Sequence, residues 1–527
     1  TQQGPLEGAP ASESTEVSIA YDRDHLYIAV HARYSDPSIM RANRVDRDRA
    51  AQDDLFTVYF DTFMDQQRGY DFDVNPYGVQ GDGIISTFSP GGAIPRADRT
   101  WNALFRTGGR IVEDGYTAEM AIPFKSLRYP SRAPGEEHRW GFQVIREIRG
   151  KDEENVVWAP MSRSESSFFA QMGVLEGMTD LSTSRNLEIL PTVTAIQYGS
   201  LQPSDRGFIN ERTDPDAGVN IKYGLTSDLT ADFTLNPDFS QIESDGAQIE
   251  TNQRYPIFFS ELRPFFVEGA EIFSIGSPVT LVHTRTIVDP DYGAKLSGKV
   301  GPVAIGLVAA NDRAAGNVTE QADPAYGRSA RTLIGRARYD LYSESNIGAI
   351  FTGRDFLNSY SRMAGVDGTF RISPAISAAF EVVRTNYRGL DGEARDGHIL
   401  DLRVRRNARQ FDWSVSAHQI SPAFATDVGF VRRVNERVVL GTAAYTFYPE
   451  TWLLNWFPEV SYLRNHDFDG TLQDQQLKAA ITLNLARSIS TTIGVSDEME
   501  RFGGTDFSKV RFNADLAVNT SRRFRLI

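Results

Sequence analysis

From Leu187 to the end of the chain, apolar and polar residues alternate, and no other feature constrains the fold as much. Val219, Ile221, Tyr223 and Leu225 alternate with Asn220, Lys222 and Gly224. Leu333, Ala337, Tyr339 and Leu341 alternate with Arg336, Arg338 and Asp340, and Leu400, Leu402 and Val404 with Asp401, Arg403 and Arg405. The pattern returns at Leu477–Leu485 and again at Val510–Val518. A period of two describes a β-strand whose two faces meet different surroundings. A soluble sandwich satisfies that description too. Three features favour a membrane barrel. The runs reach about ten residues, the length a tilted strand needs to cross a bilayer. Charges of both signs sit mid-strand on the polar face, as a hydrated lumen allows. Aromatics gather near strand ends, as in Tyr445-Thr-Phe-Tyr448 and Trp452-Leu-Leu-Asn-Trp456-Phe457, which suits an interfacial girdle.

No stretch approaches the roughly 18 apolar residues of a membrane helix. The mean hydropathy of -0.35 is compatible with a barrel, because its two faces average out. The expectation is an all-β chain: a β-sandwich over 1–183, then a large antiparallel transmembrane β-barrel over 184–527 with fifteen or sixteen strands between Leu187 and Asn519. Arg523-Phe-Arg-Leu-Ile527 reads as a strand cut short, so the barrel is expected to continue beyond 527.

One stretch breaks the alternation. Residues 236–273 are acidic and carry Phe258, Phe259, Phe265 and Phe266, with Pro256 and Pro264 denying regular ladder pairing. Such a segment between strands is a long external loop or an inward fold that plugs the lumen. The plug reading is preferred. Its four phenylalanines would make a small core of their own, and Arg263, Glu261 and Glu268, together with Arg254, Glu243 and Asp245, would pair with charges on the wall.

Ahead of Leu187, short strands follow one another closely. Residues 1–15 read as a polar loop or arm. Val17–Tyr21 and Leu26–Arg33 make a hairpin around Asp22–Asp24. Leu55–Thr62, Gly69–Asn75, Tyr116–Pro123 and Trp140–Ile148 follow, with a helical hint at Phe124–Leu127 and a polar connector over 176–186. This is the texture of a β-sandwich. Trp140 and Trp158 lie in apolar patterns and are expected in its core.

The net charge of -14 argues against a nucleic-acid partner, which needs clustered Lys and Arg. With no cysteine, disulfides, zinc-thiolate sites and cysteine nucleophiles are excluded. The chain opens on Thr1-Gln-Gln-Gly-Pro without an apolar segment, so a mature or trimmed form is expected. Glu119, Glu147, Glu153 and Glu154 offer carboxylates, but the separation that matters for glycoside hydrolysis is not a sequence property. The histidines form no HExxH, and no GxSxG elbow is present.

Asn236-Pro-Asp-Phe-Ser-Gln-Ile-Glu-Ser-Asp245 and Phe258-Phe-Ser-Glu-Leu-Arg-Pro-Phe-Phe-Val-Glu-Gly269 resemble a bacterial family in which a domain similar to family 9 carbohydrate-binding modules precedes an outer-membrane DUF5916 barrel region. Weaker matches run in order through Phe72-Asp-Val-Asn-Pro76, Trp101, Ala118-Glu-Met-Ala-Ile-Pro-Phe124 and Trp158. The resemblance implies a place, the bacterial outer membrane with its lipid, and an architecture. Modules similar to family 9 bind structural calcium through acidic residues in this part of the fold. Beside Asp46, Asp48 and Asp54, that makes Asp36 and Asp53 the metal candidates; the alternative is solvated carboxylates paired with Arg44, Arg47 and Arg49.

Sugar recognition needs a flat aromatic surface and planar polar groups. Trp101 lies in a polar stretch, with Asn75, Arg68 and Asn102 as helpers; packing of Trp101 on the sandwich edge is the alternative. Mid-strand charges such as Arg336, Arg403 and Arg405 favour a hydrated path. The function expected is binding or passage of a glycan or other polar solute at the outer membrane, without catalysis, the sandwich lying on the periplasmic side. Two other classes stay open: a structural role in which the sandwich docks a partner protein and the barrel is an anchor, and a membrane-tethered glycoside hydrolase.

Overall fold

The computed structural model describes the chain except residues 87–93, 183–186, 198, 202–207, 211, 240–254, 319, 343, 522–523 and 527. Eleven strands build the first half: β1 (Gln2–Gly4), β2 (Thr15–Tyr21), β3 (His25–Arg33), β4 (Leu55–Asp61), β5 (Arg68–Val74), β6 (Gln80–Ser86), β7 (Arg106–Val112), β8 (Gly115–Pro123), β9 (His138–Ile148), β10 (Glu154–Val157) and β11 (Gly173–Met178). They form a sheet ordered β1-β10-β9-β4-β5-β6, with β11 also on β9, facing a four-stranded sheet ordered β2-β3-β8-β7. Alternation decides the inner faces. Leu26, Ile28, Val30 and Ala32 of β3 meet Phe56, Val58, Phe60, Phe72 and Trp140 across the interface. All seven residues of β4 are buried, because its outer face is covered as well: Tyr59, Ile85 and Ile145 lie beneath Val157, Met161, Phe168 and Phe169.

Some readings change here. Gln2–Gly4 is not a free arm but pairs with β10. The strand β11 occupies the start of the segment read as a connector. Trp158 is 56% exposed rather than core.

The outer face of β5 and β9 carries buried charge. Arg99 pairs with Asp71 at 2.9 Å and Asp73 at 2.6 Å. Burial nevertheless pushes the Asp71 carboxyl up to about 8 and raises Asp73 and Glu147 as well. A carboxyl that holds its proton more tightly folded than unfolded stabilises the fold at low pH, and that contribution is lost as pH rises through the folded value.

The second half is one antiparallel sheet. Its strands are β12 (Leu187–Ile196), β13 (Gly199–Leu201), β14 (Phe208–Asn210), β15 (Asp214–Gly224), β16 (Leu229–Leu235), β17 (Pro290–Val300), β18 (Val303–Asp312), β19 (Ala330–Tyr342), β20 (Ser345–Phe356), β21 (Ser359–Ser373), β22 (Ile376–Arg388), β23 (Ala394–Arg406), β24 (Phe411–Ile420), β25 (Glu436–Tyr445), β26 (Leu453–His466), β27 (Leu472–Leu485), β28 (Ile489–Phe502), β29 (Thr505–Ser521) and β30 (Phe524–Leu526). Apart from the small β13–β14 ladder, all run as sequence neighbours from β12 to β30. This is an up-and-down barrel wall, and its long strands match the number expected from the alternation.

From β19 to β29 every strand exposes an apolar side chain on the outside: Leu333, Phe351, Val366, Val382, Leu400, Val415, Val439, Val460, Leu477, Ile493 and Phe512. The sandwich sits against the end where the strands turn tightly. Ser166 donates to the carbonyl of Pro374 at 2.9 Å, Asn346 to Gln67 at 2.9 Å and the Ser488 amide to Asp152 at 2.9 Å. Lys299 pairs with Asp65, and Arg371 with Glu165.

The pH dependence is testable. In calorimetry of the whole protein in detergent, the sandwich transition is expected to fall in temperature as pH rises from about 4 to about 8, the span between the ordinary and the raised Asp71 value. Asp71→Asn should flatten that slope. An unchanged slope would show that Asp71 ionises normally.

Candidate functional site: a constricted lumen

Two segments turn into the barrel. The first joins β16 to β17 and includes a helical turn at Pro264–Val267 and a 3-10 turn at Ala270–Phe273. Pro264 opens the helical turn, and Gly269 sits at φ 74°, left-handed backbone that glycine adopts without strain. Phe266, Phe273 and Ile287 pack on Val308, Ala310 and Ile334 of the inner wall. The wall glycine Gly306 makes room, since a Cβ there would lie 2.6 Å from the Phe273 ring. Farther along, Val279 and Leu281 pack on Ile350, Met363, Val383 and Ile399.

The second inward segment, residues 421–435 between β24 and β25, has no counterpart in the sequence reading. It zips onto the first: the Phe430 amide donates to the Thr280 carbonyl at 2.7 Å, and the His283 amide to the Val428 carbonyl at 2.7 Å. Phe424 and Val428 join the same apolar clusters.

The segment over 236–273 is therefore an inward fold where it is described, and it continues to Asp289. Its expected private core is corrected. Phe265 and Phe266 belong to the wall cluster, while Phe258 meets His283 and Phe430 at 5.0 and 5.2 Å and Phe259 lies under Arg285. Arg263 does not reach the wall. It chelates Glu261, donates to the carbonyls of Ile287 at 2.6 Å and Thr284 at 2.8 Å, and stacks on Phe266. Glu268 does pair with the wall, through Lys222 at 2.5 Å, and Lys295 donates to the carbonyls of Phe265 and Glu268. Glu243, Asp245 and Arg254 lie outside the described residues.

The lumen has two unlike halves. On β18–β24 the inward positions covered by the two segments are mostly apolar, interrupted by Thr332, Thr352 and Thr385 and by Glu381, which accepts from Ser277 at 2.9 Å. On β24–β28 one transverse row reads Ser414, Thr442, Ser461, Lys478 and Ser496, each beside an outward-facing Val415, Ala443, Val460, Leu477 or Val495. Against this polar wall lies a cavity of about 470 Å³, lined by Tyr255, Arg433, Asp474, Gln476 and Glu498 among others. Arg433 donates to Asp474 at 2.5 Å, and Gln476 to Glu498 at 3.0 Å. Of the arginines expected along a hydrated path, Arg336 is buried and committed to Asp367, Arg403 pairs with Asp401 at 2.7 Å, and Arg405 stands exposed at the sandwich end.

The sandwich touches the plug itself. Arg68 pairs with Glu271. Arg128 lies 3.8 Å from Glu268 and donates to Ser297 of the wall at 3.3 Å. Tyr70 organises both arginines, its hydroxyl accepting from Arg68 at 2.8 Å and from the Arg128 amide at 3.0 Å.

These contacts correct the sugar-site expectation, because the four residues do not form one open surface. Arg68 is turned to the plug. Asn75 is fully buried, and its amide bonds the Asn43 carbonyl, Asp53 and the amides of Tyr77 and Val79, leaving no hydrogen-bonding position free. Trp101 is half-buried, 5.1 Å from Tyr70 and 6.0 Å from Phe72. Asn102 is exposed.

The calcium candidates do not fit a metal site either. Asp53 accepts from the Asn43 amide and from the side chains of Asn43 and Asn75. Asp36 caps a 3-10 turn by accepting from Ser38 at 2.9 Å. Among the described residues, no group of three acidic or histidine side chains converges to hold a metal.

Residues 4–167 match the carbohydrate family 9 binding domain-like family, and residues 187–290 match a domain of unknown function, DUF5916. No match was found among curated proteins. Among solved structures, the chain is similar to Pseudomonas aeruginosa OccK11 (OpdR) at 9% identity and TM-score 0.31, covering 88% of this chain and 93% of that one. It is similar to Pseudomonas aeruginosa OprD at 9% identity and TM-score 0.29, covering 88% and 95%. A bacterial polysaccharide outer membrane secretin aligns at 9% identity and TM-score 0.27, covering 63% and 97%. These likenesses are distant, and the site is argued from this chain's own residues.

If Arg68 and Glu271 fasten plug to sandwich, Arg68→Gln and Glu271→Gln should each speed hydrogen exchange both at β5 and over Ala270–Phe273. The double variant should be no faster than the faster single one, as expected of one shared interaction. Additive acceleration would show that the two residues act separately.

Proposed function

We propose that this chain, a carbohydrate family 9 binding domain-like sandwich joined to a DUF5916 barrel region, is an outer-membrane protein that binds or passes a glycan or other polar solute, as a conduit rather than a catalyst. The observation that carries this reading is the division of the lumen. Two segments are held by apolar burial on one half of the wall, and the other half is lined with hydroxyls, amides and charges. A barrel serving only as an anchor has no need of a second, unlike inner face.

The unbroken apolar exterior from β19 to β29 supports placement in a bilayer, since a water-exposed apolar surface of that extent marks a membrane or an interface. Tight turns gather at the sandwich end, and longer connections such as 312–330 and 421–435 at the other. In outer-membrane barrels short turns are periplasmic, which supports a periplasmic position for the sandwich.

The test is single-channel conductance of the purified protein in a planar bilayer beside Leu281→Asp. Leu281 is buried against the apolar wall, and an uncompensated carboxylate there should release the segment. The variant is expected to conduct more than the parent. Equal conductance, with hydrogen exchange showing the 275–289 segment released, would sink the passage reading.

A further inference from the structure

The deepest unassigned chemistry lies not in the sandwich alone but where it meets the barrel. A cavity of about 580 Å³ opens there, within the roughly 300–1,000 Å³ range of small-ligand sites. The sandwich contributes Gln3, Arg163, Glu165 and Ser166; β23–β26 and their turns contribute the rest. It lies at the sandwich end of the polar wall, since Ser414 and Thr442 line both.

Many polar groups of this cavity are already engaged. Glu165 is held by Arg371, Asp412 accepts from the Ala408 amide, and Arg163 donates to the carbonyls of Gln3 and Pro5. Arg405 and Glu459 differ. Both line the cavity, and among the described residues neither side chain makes a direct hydrogen bond or ion pair, Arg405 feeling Glu344 only at longer range. They stand on β23 and β26, three strand spacings apart, or roughly 14 Å. Between them Phe457, on the inward face of β26 with Glu459, brings an aromatic ring to the same cavity.

We infer that this junction is a subsite for a neutral oligosaccharide of two or three rings, an inference that rests on the solute-binding reading above. The chemistry selects the class. One sugar hydroxyl accepts from the Arg405 guanidinium and another, farther along the chain of rings, donates to the Glu459 carboxylate, with a C–H face on the Phe457 ring. One charge of each sign without a direct partner favours a ligand without net charge. The sandwich thereby helps to complete a site on the barrel instead of presenting one on its own surface.

The test uses the full chain in an amine-oxide detergent, whose headgroup carries no sugar, titrated calorimetrically with maltotriose, cellotriose and, as an anionic control, trigalacturonate. At least one neutral trisaccharide is expected to bind, with trigalacturonate weaker. Arg405→Gln and Glu459→Gln, near-isosteric and expected to fold, should each weaken binding about tenfold or more, the scale of a hydrogen bond to a charged group. Phe457→Ala should weaken binding as well. Heat-modifiable migration of each variant checks that the barrel is intact.

Binding of neither neutral trisaccharide, tighter binding of trigalacturonate, or affinity unchanged in both Gln variants would overturn the subsite. Conductance of the same preparations separates the two claims: conductance without binding removes the subsite and leaves passage standing, and binding without conductance does the reverse.

Discussion

The structure depends on a strip of apolar wall inside the barrel. Val308, Ile334, Ile350, Met363, Val383 and Ile399 point inward on successive strands, and an empty lumen would leave them in water. Covering them returns about 25 cal/mol for each square ångström of apolar surface removed from water, so the chain folds Phe266, Phe273, Val279 and Leu281 back onto them. The prolines and Gly269 allow the inward segment to turn without a ladder. Its backbone groups are answered instead by Lys295, Arg263 and the second segment. Because the apolar strip covers only part of the circumference, the covering is one-sided and the polar half keeps its own surface.

That asymmetry gives the sandwich its place. Arg68 and Arg128 meet Glu271 and Glu268 where the plug comes nearest the sandwich, and Tyr70 ties both arginines to the sandwich core. The plug is thus held from two sides, by dispersion and burial on the wall and by charge at its sandwich end. On the opposite side of the junction the same docking leaves a gap lined by β23–β26, where Arg405 and Glu459 keep unspent hydrogen-bonding capacity. Closure on one side and an opening on the other follow from one geometry.

The residues that looked most like a sugar site show why composition misleads about sites. Asn75 carries the amide such a site wants, but its four bonds organise the turn after β5. Arg68 has the guanidinium and spends it on the plug. Asp36 and Asp53 have the oxygens of a cation site and use them to accept amide hydrogens. Each reading rested on a residue's chemistry, and the competing demand was a buried backbone or side-chain partner that only the fold supplies.

By itself the sequence determined the two halves of the chain, the barrel-type alternation with its strand number, the hairpin of β2 and β3, and the fact that the segment after β16 could not be a strand. These are local properties: a period of two, a proline, a run of one polarity. Tertiary structure alone decided that β1 completes a sheet, that Trp158 faces out, that residues 421–435 fold inward, and that Arg405 and Glu459 share a cavity. Each of those depends on which distant segment arrives to cover or satisfy a group, and a partner tens or hundreds of residues away leaves no mark on the local pattern.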